Sequence, residues 1–151
     1  MADILHEVGI KASPSEVYKA LATREGAANW WANDTRGESK VGGVLTFRFT
    51  MQGAEKGVID MKVLELTPDQ RVLWEVVGGP EEWIGTKVSY DLRQEDAWCL
   101  VSFKHEGWAE PVPFMHHCTT KWGSYLMSLK ALVETGKGAA NPNDVSVTSW
   151  D

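Results

Sequence analysis

The segment IGTKVSYDLRQEDAWCLVSFKH, residues 84–105, reads as two strands joined by a turn. Ile84, Thr86, Val88, Tyr90 and Leu92 alternate with Lys87, Ser89 and Asp91, which is the period of a half-buried strand. Gln94-Glu95-Asp96 turns the chain, and from Ala97 the apolar face returns as Cys99, Val101 and Phe103, with His105 beside them. A turn this short joins antiparallel neighbours. Beyond Pro111-Val112-Pro113 the period changes. Met115, Cys118, Thr119, Trp122, Leu126, Leu129 and Val133 recur at helical spacing, while Lys130 and Gly136 suit a helix C-terminus. A hairpin followed by one long amphipathic helix buries both apolar faces when the helix lies on the sheet.

The rest of the chain extends that pattern toward the N-terminus. Strands are predicted at Ile4–Ile10, Val44–Thr50, Gly57–Leu66 and Arg71–Val77, each with alternating apolar positions or bounded by Gly and Pro turns. After the first strand, Ser13 can cap a helix whose first turn accepts Pro14, and a second short helix runs from Thr23 to Trp30-Trp31. Asn33 to Lys40 is polar and reads as a connection. The sum is an α+β architecture: a curved, antiparallel, six-stranded sheet wrapped around a long C-terminal helix, with two short helices after the first strand. This is the helix-grip arrangement. Residues 1–138 form one domain, and the polar, Pro-containing residues 139–151 read as a partly disordered C-terminal tail.

Those same segments carry a family resemblance. IKASPSEVYKALAT at 10–23, WW at 30–31, VGGVLTFRF at 41–49, FKHEGW at 103–108 and TTKWGSYLMSLKALVETGKG at 119–138 resemble the SRPBCC (START and birch-pollen-allergen-like) superfamily. Within it they are similar to the activator of heat-shock-protein ATPase homologue group. The resemblance spans residues 3 to about 138 and rests on structural rather than catalytic motifs. It implies a hydrophobic cavity between sheet and long helix. Some relatives bind lipids or polyketides, a few catalyse cyclisation, and the eukaryotic co-chaperones carry an additional client-binding domain.

Composition narrows the partners. The net charge is −6, with 15 Lys and Arg against 21 Asp and Glu, and no basic run occurs, so a phosphate backbone would be repelled. No segment approaches a membrane span, and the first eleven residues contain Asp3, His6, Glu7 and Lys11 rather than an apolar signal core. Two cysteines, Cys99 and Cys118, are too few for a disulfide framework, and a cytoplasmic location is expected. No nucleic-acid, membrane, metal or cofactor partner is expected. His116 and His117 are neighbours about 100° apart on a helix and do not form a metal-ligand pair; solvent or a dimer contact is their expected setting. Gly42-Gly43 precedes a strand and lacks the Lys-Ser/Thr of a phosphate loop. Ser13, Ser15, Thr119 and Thr120 have no evident base.

Eight tryptophans in 151 residues stand out. Strand parity and helix spacing turn Phe47, Phe49, Met61, Tyr90, Phe103, Trp122, Tyr125 and Leu126 inward. Trp30, Trp31 and Trp108 end elements and would frame a pocket mouth, with His105 as the polar group within. These twelve residues are the candidate ligand-binding set for a small apolar or aromatic molecule, and no residue is assigned as catalytic. Whether the interior is hollow or packed stays open, because composition is the same in both cases. An enzymatic alternative, a cyclase or hydrolase, would need His105 paired with a carboxylate such as Asp60 or Glu75. A third reading is a dimeric stress-response or co-chaperone-like interaction module. It rests on Trp83 and Trp98, which fall on outward parity where a partner subunit would cover them. Trp74 shares a face with Val72 and Val76 and reads as core, and Trp150 is unassigned.

Overall fold

Ser13 does cap the first helix. In the computed structural model, which describes residues 1–150, its side chain accepts the Glu16 amide and Pro14 occupies the first turn. Strand β1 (Ala2–Ile10) leads into α1 (Pro14–Ala22) and, after the Thr23 cap, α2 (Arg24–Trp30). The two short helices cross so closely that a Cβ on Gly26 would lie 2.4 Å from the Ala20 carbonyl oxygen, a contact only glycine allows. The Trp30 indole N–H donates to that same oxygen at 3.0 Å and fixes the corner.

The strands that follow are β2 (Asp34–Gly37), β3 (Val44–Met51), β4 (Ala54–Thr67), β5 (Arg71–Gly78), β6 (Lys87–Glu95) and β7 (Trp98–Trp108), and the chain closes with α3 (Pro113–Thr135). They form one antiparallel sheet in the order β1-β7-β6-β5-β4-β3-β2. The sheet therefore has seven strands, one more than expected. The extra strand is β2, the sequence Asp-Thr-Arg-Gly within the Asn33–Lys40 connection. It has no alternation of its own and forms by pairing with the regular edge of β3.

Helix α3 lies across the concave face and ends at Gly136, whose φ of 87° and N–H bond to the Leu132 carbonyl make a left-handed cap. Two contacts tie it to β1. The His6 Nε2 lies 3.0 Å from the Thr119 carbonyl, and Lys130 donates to the Gly9 carbonyl while pairing with Glu134. Glu134 in turn accepts the Lys11 amide at 2.8 Å. The last turns of α3 thus occupy backbone groups at a sheet edge that would otherwise invite another strand.

The segment after Gly138, expected as a partly disordered tail, packs back along α3. Asn141 anchors it: its side chain accepts the Thr50 amide and donates to the Thr50 carbonyl, and its backbone bonds to Trp31 and Asn33. Further on, Lys121 donates to the Val145 carbonyl, and Trp150 sits edge-on to Phe114. The order of this segment comes from long-range bonds, which leave no periodicity in sequence. Among the described residues, no helix is long and apolar enough to cross a membrane.

Candidate ligand-binding site

Directly beneath α3 the interior is filled. The Trp31 ring centre lies 4.3 Å from that of Phe47, 5.0 Å from Trp122 and 5.5 Å from Phe49, and it stacks on Trp74 at 6.1 Å. Phe103 and Trp122 meet at 4.7 Å. Rings at these spacings are in contact with one another, as in a packed core.

His105 belongs to this packed region. The Trp122 indole N–H donates to its Nδ1 at 3.1 Å, and Thr86 Oγ1 lies 2.8 Å from its Nε2. An indole can only donate, so Nδ1 is the acceptor and Nε2 carries the proton. The Thr86 hydroxyl accepts that proton's bond and passes its own to the Trp83 carbonyl. Burial pushes the imidazole pKa down to about 3. The ring is therefore neutral with both nitrogens engaged, and neither partner is a carboxylate. Asp60 instead accepts from Thr46 on the other face of the sheet, and Glu75 lies in register between Lys62 and Lys87. The pairing that an acid–base role for His105 requires is not made.

The open volume lies to one side, between the β3–β4 hairpin, the turn at Gly79–Pro80, the N-terminal half of α3 and the packed-back C-terminal segment. It is a cavity of about 890 Å³. Of the twelve candidate residues, Trp31, Phe49, Trp122 and Tyr125 line it. Trp30, Phe47, Met61, Tyr90, Phe103, His105, Trp108 and Leu126 are at most 2% exposed and form the packed layer behind it.

Several lining residues escaped the sequence reading. Trp83, outward by strand parity, is buried and stacks on Trp122 at 5.9 Å with an interplanar angle of 14°. Residues 81–85 form a turn, so strand parity does not apply there. Ile84, expected inward, is 54% exposed for the same reason. His117, expected at solvent or a dimer contact, is buried because the C-terminal segment covers that side of the helix, with Thr148 bonded to its Nδ1 and Trp150 packed on it. Cys118 also borders the cavity, and burial pushes its thiol pKa up to about 12, so it stays protonated. Its place at i−4 from Trp122 on the apolar stripe was the available signal.

A buried polar cluster forms part of the cavity wall. Lys121 pairs with Asp144 at 2.7 Å with both side chains largely buried, and the Tyr125 hydroxyl donates to the same carboxylate at 2.7 Å. The wall from Phe49 to Pro80 is mainly apolar, with Phe49, Met51, Val58, Ile59 and Pro80, and carries Thr50, Gln52 and Lys56 among them. An amphipathic arrangement of this kind can hold a ring system by contact and orient it by hydrogen bonds.

Residues 11–134 match the family model described as activator of Hsp90 ATPase homolog 1-like protein. The chain belongs to this family. The match covers α1 through α3, the whole frame of the cavity except its C-terminal wall. Among solved structures, family membership is supported by the solution structure of the Aha1 dimer from Colwellia psychrerythraea. That protein is 41% identical, aligns over 91% of this chain and all of its own, and superposes with a TM-score of 0.78. The protein CV1439 from Chromobacterium violaceum is 22% identical over 89% of this chain and 99% of its own, with a TM-score of 0.72. DynU16, a protein of the dynemicin biosynthetic locus, is 17% identical over 90% of this chain and 48% of its own, with a TM-score of 0.71. At these identities the last two show the shared fold alone. No match was found among curated proteins.

Proposed function

We propose that this chain binds a small apolar or aromatic molecule in the cavity beside α3. The observation that carries this reading is an opening of about 890 Å³ bordered by the rings of Trp31, Phe49, Trp83, Phe114, Trp122 and Tyr125. A space of that size falls in the range of small-molecule sites. It also exposes apolar surface that a folded domain gains by covering.

The tryptophans supply the test. Trp31, Trp83, Trp122 and Trp150 border the cavity, whereas Trp30, Trp74, Trp98 and Trp108 do not. In a ¹H–¹⁵N spectrum of the wild-type protein, a ligand drawn from fatty acids, flavonoids or aromatic polyketides shifts indole N–H signals of the first group and leaves the second group in place. No saturable shift across that panel overturns the reading.

A second reading, self-association, draws on the 41% identical relative whose solution structure is that of a dimer. In this chain Trp98 is 38% exposed on the outer face, with the Lys11 and Lys130 ammonium groups 4.9 and 4.8 Å from its ring centre. A partner copy would cover it. Light scattering at high concentration is expected to report twice the 16.8 kDa chain mass, and Trp98→Ser to reduce it. A strictly monomeric wild type removes this reading.

A further inference from the structure

Gly57 faces the cavity from β4, directly across from Phe49 on β3. Residues directly opposite in an antiparallel pair project to the same face, so a side chain at 57 would stand beside the Phe49 ring inside the cavity. A Cβ built on Gly57 meets no atom within 4 Å. Aromatic residues opposite a strand glycine often fold over it and fill the gap. Phe49 does not: its half-buried ring leans toward Trp31 at 5.5 Å and Tyr125 at 6.4 Å. The ladder is also irregular here, with a register shift between Phe49 and Thr50. The strand therefore keeps an open notch at a position where a β-branched or aromatic residue would stabilise the sheet. Gly57 has no positive φ that would require glycine.

We infer that Gly57 is a specificity-determining residue whose missing side chain leaves a slot for a flat aromatic ring laid against Phe49. This rests on the cavity being a ligand site. Strands lie about 4.8 Å apart and same-face neighbours about 6.8 Å apart, so one absent side chain opens a gap that is narrow in one direction and long in the other. A planar ring, about 3.5 Å thick, fits that gap edgewise with its face on the Phe49 ring. An alkyl chain gains less there, because it brings no flat surface to the slot, and it can occupy the remaining volume instead.

The experiment measures binding of two probes, 1-aminoanthracene and decanoate, to wild type, Gly57→Ala, Gly57→Leu and Phe49→Leu. Intact folding of each variant is read from the indole N–H signals of Trp30, Trp74 and Trp108. The slot predicts a graded loss for 1-aminoanthracene, small for alanine and tenfold or more for leucine, with decanoate changed less than threefold. Phe49→Leu keeps apolar bulk but removes the ring, and weakens 1-aminoanthracene by about three- to tenfold. Unchanged 1-aminoanthracene affinity in Gly57→Leu overturns the slot, and so does an equal loss for both probes, which would mean simple narrowing. A wild type that binds neither probe overturns the cavity reading itself, and the slot with it.

Discussion

Replacing Trp31 with alanine is expected to cost about 3–5 kcal/mol of unfolding free energy, the upper range for deleting a buried aromatic. For a domain of this size that lowers the melting midpoint by on the order of 10 °C. Trp31 is 1% exposed and is the hub of the interior, touching rings from α2, β3, β5 and α3. The cost is large because the neighbours cannot close the gap. Phe47, Trp74 and Trp122 are each held by other rings, and rigid rings do not flow into a void as a leucine or methionine side chain can. The backbone at Trp31 adds a consequence: its carbonyl accepts the Asn141 amide, so loosening this corner also loosens the C-terminal wall of the cavity. Urea denaturation followed by circular dichroism measures the effect, with Met127→Ala, 56% exposed on α3, as the surface comparison, expected to lose about 1 kcal/mol or less. A loss under about 1.5 kcal/mol for Trp31→Ala would mean that the cluster relaxes and is not packed as described.

The same hub shows what a sequence can carry. Tyr90, Phe103 and Trp122 were legible as inward because β6 and β7 pair without a register shift from Lys87 to Trp98 and α3 runs unbroken, so period alone orients each side chain. Wherever the period breaks, the reading stops. Trp83 sits in a turn, where parity carries no information. Strand β2 borrows its conformation from β3. The C-terminal segment is ordered by Asn141 and Asp144 meeting groups about ninety and twenty residues away, and neither bond has a local signature. Packed interior and lined cavity are likewise built from the same residue types. Phe47 and Phe49 are two positions apart on one face, yet one is sealed against Trp31 and the other borders open space. What separates them is the ladder irregularity after Phe49 and the bare Gly57 across from it, features of register rather than of composition.

Lowering the pH from 7 to 5 is expected to remove about 2 kcal/mol of stability through His105 alone. In the fold the imidazole is sealed beneath Trp122 and Thr86 and takes a proton only near pH 3. In the unfolded chain it titrates near its ordinary 6.5. Between these values the unfolded state binds a proton that the folded state refuses, so the stabilisation is complete above 6.5 and is lost as pH falls toward 3. The slope from this group is about 1.4 kcal/mol per pH unit. The window from pH 7 to 5 is the informative one, because there the unfolded chain takes up the His105 proton while the folded one does not, and comparison with a variant lacking the imidazole cancels the other titrating groups. His105→Asn keeps a polar group in the site but cannot titrate. Its stability at pH 7 is lower, since Asn fills less of the space beside Trp83 and Trp108. Its pH dependence over the window is flatter than that of the wild type by about one proton. Denaturation midpoints at four or five pH values in each protein measure the difference. Equal slopes would mean that His105 takes up a proton as readily folded as unfolded. The imidazole would then have access to solvent or to an acidic partner, and an acid–base role would again be open to it.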